Sequence, residues 1–485
     1  MTSPTPQSPT PQSPGPQSPA PQVPAPQAPA PHAPVPPPPA ASVPLALADL
    51  HGSLADPLLD RMTFLNEVTL RYPDAVSFAP GRPYEGLFDT SDVPAALDTY
   101  LAHLRDERGL GPDAVRTRLF QYGRTKGFIT DLIARQLRAD EGISVDPEAI
   151  VVTVGAQEGM LLVLRTLCAG PDDVVLVSSP CYVGITGAAR LLDVTVVPVP
   201  EAPGGGLDPA AVAAAAREQR AAGRRPRACY VVPDFANPSG ASLPSAARRR
   251  LLQVAAEENL LLIEDDPYGF FALDGRARPT LKALDTAQRV IHLGSYAKTC
   301  FPGARLGYVI ADQRVTGPAG TGLLADELAK LKSMTTVNTS ALSQAVVGGM
   351  LLRCDFRLRD ANKAAQVFYA DNMLTLLAEL ERAFPADDRE RHGVSWNAPD
   401  GGFFVVLTLP FAADDAAMER CAREYGVLWT PMSGFYPAGG GERLARLSCS
   451  YLTAGQVRDG VRKLAAFVTD LSAAGQPDAS STARA

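Results

Sequence analysis

Ser295-Tyr296-Ala297-Lys298-Thr299-Cys300-Phe301-Pro302-Gly303-Ala304-Arg305-Leu306-Gly307-Tyr308 carries more structural information than any other segment of this 485-residue chain. A short apolar run, residues 290–293, leads directly into it and reads as a buried strand, which puts Lys298 just beyond a strand end. In apolar surroundings a lysine ammonium is penalised, its pKa falls, and the neutral amine can condense with an aldehyde. Ser295 and Arg305 add a hydroxyl and a permanent cation, a combination suited to a phosphate. Pro302 and Gly303 make the sharp turn that returns Arg305 toward Lys298. A lone lysine beside a loop is usually a surface residue. Here serine, lysine, Pro-Gly turn and arginine occur together at fixed spacing.

Outward from this stretch the chain alternates. Residues 150–154, 174–177, 195–199, 228–232, 260–264, 290–293 and 307–310 read as short buried strands, with helical patterns at 158–167, 209–220 and 244–258. That rhythm predicts an α/β domain with a mainly parallel sheet. Residues 335–384 read as a long helical run, and 403–409, 416–424 and 444–450 as parts of a smaller α+β domain. The first 44 residues stand apart. Proline recurs there at a five-residue period (TPQSPTPQSPGPQSP from Thr5), so no core can form and an extended polyproline-like tail is expected, solvated rather than docked. Residues 472–485 are small and polar and are expected to be loose.

Composition narrows the function. With 46% hydrophobic residues a sizeable core can form. A net charge of -7 with no basic cluster gives no footprint for nucleic acid. No stretch approaches the roughly 20 apolar residues that cross a membrane, and no secretory signal opens the chain. Seven scattered cysteines without a CxxC pair fit reduced thiols in a cytoplasm, with neither a disulfide framework nor a metal site expected.

The segment 295–308 resembles the Schiff-base motif of fold-type-I aminotransferases, the aspartate aminotransferase superfamily (class I and II). The resemblance spans roughly residues 60 to 470. It implies an aspartate-aminotransferase-like architecture: a large domain with a mainly parallel seven-stranded sheet, plus a smaller α+β domain. It further implies pyridoxal 5'-phosphate held by Lys298, with an amino acid donor and a 2-oxo acid acceptor. The expected division is a tail at 1–44, an arm and entrance segment at 45–95, a cofactor domain at 96–350, a small domain at 351–471 and a tail at 472–485.

Further motifs occur in the family's order. Asp265 and Tyr268, three apart after a strand, match a pair in which the aspartate meets the pyridine nitrogen and the tyrosine the ring oxygen. Asp266 reads as a loop acid. Asn237, in Asn237-Pro238-Ser239-Gly240, matches a second donor to that ring oxygen and lies near the substrate. Gly155, Ala156 and Gln157 open a helix whose free amides suit an anion, and by resemblance seat the phosphate together with Ser295 and Arg305. Tyr182 matches an aromatic ring stacked on the cofactor. Tyr122, in Gln121-Tyr122-Gly123, matches a tyrosine that reaches the phosphate of a neighbouring subunit, which implies a homodimer. Arg446 matches the arginine that grips the substrate α-carboxylate through its planar fork.

At the entrance, Gly81 sits in Phe78-Ala79-Pro80-Gly81-Arg82-Pro83-Tyr84-Glu85, preceded by Phe64-Leu65-Asn66-Glu67-Val68 and Arg71-Tyr72-Pro73. This version resembles the hydroxyphenylglycine and 3,5-dihydroxyphenylglycine aminotransferases, which aminate arylglyoxylates for non-ribosomal peptide antibiotics. Arg82 and Tyr84 are either phenol contacts or ordinary surface residues. The alternatives are an aromatic or 2-aminoadipate-type aminotransferase, or a relative that decarboxylates, cyclises or oxidises its substrate. A transcription regulator with an aminotransferase-like domain would need a basic module upstream, and no lysine or arginine precedes Arg61.

Overall fold

The computed structural model describes residues 45–318 and 320–474; the side chains of 60–66, 388, 473 and 474 are not described. The proline tract, the terminal residues 475–485 and the side chains of Phe64, Leu65 and Asn66 therefore lie outside the described residues. Two compact units divide after Leu50, and in the first the described residues form one 3-10 turn, Leu47–Asp49.

Seven strands build the main sheet of the second unit: β1 (Ile150–Thr153), β2 (Asp173–Ser179), β3 (Thr195–Pro200), β4 (Arg225–Val231), β5 (Leu261–Asp265), β6 (Val290–Ser295) and β7 (Gly307–Ile310). Their order is β1-β7-β6-β5-β4-β2-β3. Only β7 runs against its neighbours, pairing antiparallel with both β1 and β6. The strands other than β3 are largely buried on both faces, which is why they read as apolar runs, whereas the edge strand β3 is mostly half-exposed or exposed. Alternate residues of one strand enter different cores: Val175 and Val177 pack with Met160, Val163 and Ile263, whereas Leu176 packs with Val212, Leu251 and Leu262.

A four-stranded sheet follows, with Ser395–Trp396, Phe404–Thr408, Leu444–Ser448 and Thr430–Pro431 side by side in that order. Helices Lys363–Ala383, Asp415–Tyr425 and Ala454–Ala474 accompany it, the first and last packing on each other. The helical run expected at 335–384 is broken. Helix Leu324–Thr335 ends where it was to begin, Ser340 caps a new helix (Ala341–Arg353) by accepting from Ser343 N, and left-handed backbone at Asp355 and Phe356 stops that one. A short piece, Leu358–Ala361, precedes Lys363–Ala383. The sequence pattern also misses a β-hairpin at Arg314–Gly317 and Gly320–Leu323, whose mostly exposed strands have no buried face to mark them.

One minor pairing matters for the site. Val76–Ser77 runs parallel to Val427–Leu428, and Ser448 N donates to Phe78 O. The segment that follows, Ala79 to Arg82, is thereby laid against the sheet strand that carries Arg446.

Candidate active site

The parallel strands of the main sheet point their C-terminal ends to one edge, where ligands gather in open α/β sheets. β1 ends at Thr153 and delivers Gly155, which opens helix α1 (Gly155–Leu167). β2 leads to Tyr182, β4 to Asn237, β5 ends on Asp265 with Tyr268 just beyond, and β6 leads from Ser295 to Lys298. Antiparallel β7 begins at the same edge, two residues after Arg305. From the smaller sheet comes Arg446, and from the N-terminal segment Gly81. Apart from Thr153, all these residues, with Ala156 and Gln157, line one cavity of about 590 Å³.

Lys298 Nζ donates to the Gly81 carbonyl at 2.9 Å. Burial lowers its pKa to about 8, and the Arg305 and Arg446 cations push the same way against the pull of Asp265. Burial pushes the Asp265 carboxyl up to about 6, restrained by a hydrogen bond from Tyr230 and by the His292 charge. Arg446 is 3% exposed. It donates to Asn237 Oδ1 at 2.6 Å, to Ala79 O at 2.7 Å and to Thr430 Oγ1 at 3.2 Å. Its guanidinium carbon lies 4.5 Å from the Phe404 ring centre. Burial draws even this group down, to about 10. Burial also lifts the phenols of Tyr182 and Tyr268, the former to about 12; Asn237 is hydrogen-bonded to Tyr268 and opposes the rise there.

Whether pyridoxal phosphate fits can be judged from the donor set. Gly155 has φ +71, and a Cβ there would lie 2.9 Å from Arg305 Nη2. At Gly307 a Cβ would come within 2.8 Å of Ala156 N. Two glycines therefore keep a cradle open around the first turn of α1, whose N-cap Val154 offers no side-chain acceptor. Arg305 and Ser295 complete an anion seat. The cavity also holds an amine with a depressed pKa, a carboxylate able to accept from a ring nitrogen, and an arginine whose buried Nε has no partner among the described residues. These groups fit a phosphate, an aldehyde, a pyridine ring and a substrate carboxylate. Among the described residues no cluster of histidine, cysteine and carboxylate groups could hold a metal ion.

Two positions discussed above lie outside this chain's cavity. Tyr122 follows helix Pro112–Phe120, is 84% exposed and does not line this chain's cavity. Asp266 turns away from the cavity, its Oδ1 accepting from Gly269 N at 3.0 Å, and burial with neighbouring acids pushes its carboxyl up to about 8. The sequence reading misses Tyr230, whose hydroxyl donates to Asp265 Oδ2 at 2.7 Å. It misses Thr430 and the Ala79 carbonyl as partners of Arg446, and Thr69 as a lining residue. Tyr230 sits in an apolar strand and reads as core. Thr430 is legible only once its register opposite Arg446 is known.

This fold and this set of groups define an enzyme that carries amino groups on pyridoxal phosphate. The chain belongs to the aminotransferase class I and II family, whose family model matches residues 113–464. It is 49% identical to the (S)-3,5-dihydroxyphenylglycine transaminase of Amycolatopsis orientalis over 428 residues, 88% of this chain and 95% of that one. Among solved structures it resembles an archaeal alanine:glyoxylate aminotransferase (TM-score 0.74, 25% identity, 87% of this chain and 98% of that one). It also resembles the α-aminoadipate aminotransferase of Thermus thermophilus in complex with N-(5'-phosphopyridoxyl)-L-leucine (TM-score 0.70, 28% identity, 88% of this chain and all of that one). It is a pyridoxal-phosphate-dependent transaminase.

Proposed function

We propose that this transaminase aminates an arylglyoxylate, 3,5-dihydroxyphenylglyoxylate first and its 4-hydroxyphenyl counterpart second, to the arylglycine used in non-ribosomal peptide antibiotics. The observation that carries this reading is the 49% identity to the Amycolatopsis orientalis enzyme across nearly the full length of both chains. The entrance is in keeping with a phenolic substrate. Gly81 leaves no room for a Cβ against the Phe404 ring, and Arg82 lines the cavity. The Arg82 guanidinium carbon lies 4.0 Å from the centre of the Tyr451 ring, and the Tyr451 hydroxyl donates to Glu85 at 3.0 Å.

The shared cavity and its donor set support the following site assignments. Bound pyridoxal phosphate supplies an aldehyde that takes up amines and a ring that draws electrons from the substrate Cα. The amides of Gly155, Ala156 and Gln157, the Ser295 hydroxyl and the Arg305 guanidinium would hold its phosphate. Asp265 would accept from the ring nitrogen and so favour its protonated form. Asn237 and Tyr268 would donate to the ring oxygen, and Tyr182 would supply an aromatic ring against the cofactor. Arg446 binds the substrate carboxylate and thereby orients the Cα–H bond toward Lys298. With its pKa lowered to about 8, Lys298 Nζ is neutral far more often near neutral pH than an ordinary lysine and can take the Cα proton and hand it on. We further propose a cytoplasmic homodimer in which Tyr122 of one subunit serves the phosphate of the other.

The test is the absorbance of the purified holoenzyme as single amino acids are added. Conversion to the pyridoxamine form with tyrosine or an arylglycine, and recovery with an arylglyoxylate, is the expected result. Conversion with other amino acids alone would overturn the substrate while leaving the chemistry standing.

A further inference from the structure

We propose that Tyr230 is a positioning residue for the cofactor ring: its hydroxyl holds the Asp265 carboxylate by Oδ2 so that Oδ1 alone is presented to the ring nitrogen. This inference rests on the reading of Asp265 given above. Tyr230 lies in β4 and is 1% exposed. It pairs with Ile263 of β5, two residues before Asp265, so all three side chains emerge on the same face. The phenol therefore runs along the neighbouring strand toward its end, where its hydroxyl meets Asp265 Oδ2 at 2.7 Å.

A phenol buried inside a sheet needs a partner for its hydroxyl. The carboxylate is the partner found, and a carboxylate can only accept, so the direction of the bond is fixed. Asp265 lines the cavity, and among the described residues its Oδ1 accepts nothing. The other charged and titratable groups around it do not take this role. Glu264, next on the strand, is turned to the Leu281 and Lys282 amides and to His292 of β6. Cys181 and Tyr182 come from the loop after β2, Tyr268 from the segment after β5, and Lys298 from the segment after β6. Lys298 is hydrogen-bonded to Gly81. Only Tyr230 is hydrogen-bonded to the carboxylate among the described residues.

Two effects follow from one bond. A charge-assisted hydrogen bond fixes the rotamer of a buried carboxylate, and it stabilises the ionised form that keeps a ring nitrogen protonated. Tyr230→Phe retains the packed ring and removes only the hydroxyl. The informative measurement is the affinity of the apoenzyme for two probes: pyridoxal phosphate, and the analogue with C–H in place of the ring nitrogen. The variant should bind pyridoxal phosphate about tenfold more weakly and the carbon analogue as the wild type does. The acidic limb of a pH titration of the bound cofactor's absorbance should move to higher pH. In an Asp265→Asn background the second substitution should change neither affinity. Equal weakening of both probes would assign Tyr230 a purely structural role and overturn the proposal, as would unchanged affinity for both. A wild type that binds the two probes equally well would instead overturn the reading of Asp265, so the two failures look different.

Discussion

Gly307→Ala adds one methyl group where nothing but backbone can yield. A Cβ at this position meets Ala156 N and Gly294 O, each at 2.8 Å, and Gly155 C at 2.9 Å. Ordinary contact begins at 3.4 Å, so about 0.6 Å is missing on two sides at once. β7 cannot slide to make room, because Gly307 is in register with Ser295 on one side and Thr153 on the other. The side free to yield is the first turn of α1, which carries the amides assigned above to the phosphate. Overpacking of this kind costs roughly 1–3 kcal/mol. Expressed at the phosphate seat, that is about 5- to 150-fold in cofactor affinity. Gly155→Ala is the instructive contrast. Its Cβ meets the flexible end of Arg305, so the main cost is the left-handed backbone, on the order of 1–2 kcal/mol. The assay is titration of the apoenzyme with pyridoxal phosphate and with pyridoxal, which lacks the phosphate. Gly307→Ala should weaken the first much more than the second. Equal losses, or none, would refute the argument that this glycine exists to keep the anion cradle open.

Three other outcomes are expected. Arg446→Met should lower kcat/KM for amino acids by about 2–5 kcal/mol of lost recognition while sparing the corresponding amines without a carboxylate; equal loss on both would remove Arg446 from the carboxylate. Arg248 and Asp234 form a buried pair at 2.5 Å beneath the turn that carries Asn237, and Arg248 also donates to the Leu243 and Pro279 carbonyls. Arg248→Met leaves Asp234 charged and buried, so stability should fall by about 3–5 kcal/mol, read from thermal or denaturant unfolding; an unchanged midpoint would contradict this. Burial opposes a charge on His292, but its 2.9 Å contact with Glu264 and the nearby Glu141 and Asp266 raise its pKa to about 9. A histidine raised above its unfolded value stabilises fully below about 6.5 and loses that contribution as pH climbs through 9. Wild type should therefore lose up to about 3 kcal/mol more than His292→Gln between pH 6 and pH 9.5, and parallel pH curves would exclude the ion pair.

Much of the fold is legible in the sequence for a physical reason. Strands covered on both faces favour apolar residues, so the main sheet stands out as apolar runs, fully buried in Ile150–Thr153 and Gly307–Ile310 and only partly buried in the half-exposed edge strand Thr195–Pro200. Exposed or very short elements carry no such constraint. Arg314–Gly317 shows one half-buried residue among exposed ones, and Val76–Ser77 is two residues long; neither could be seen in advance. The break near Asp355 and Phe356 is invisible for a related reason: left-handed backbone at non-glycine residues leaves no compositional mark.

The site divides along the same line. Residues at or just beyond strand ends, such as Asp265, Gly155 and Lys298, belong to short local motifs whose chemistry can be read locally. Residues that act through pairing across the sheet cannot. Arg446 can be read as a carboxylate ligand, but the partners that hold its fork, Thr430 and the Ala79 carbonyl, are recruited from distant segments by strand register. Tyr230 is the sharpest case, since β4 reads as plain core and the one polar atom of its tyrosine is spent on the next strand's terminal carboxylate. A buried phenol in an apolar strand thus becomes informative when a neighbouring parallel strand ends on an acid two residues past its register partner, because the geometry then brings hydroxyl and carboxylate together without any local motif.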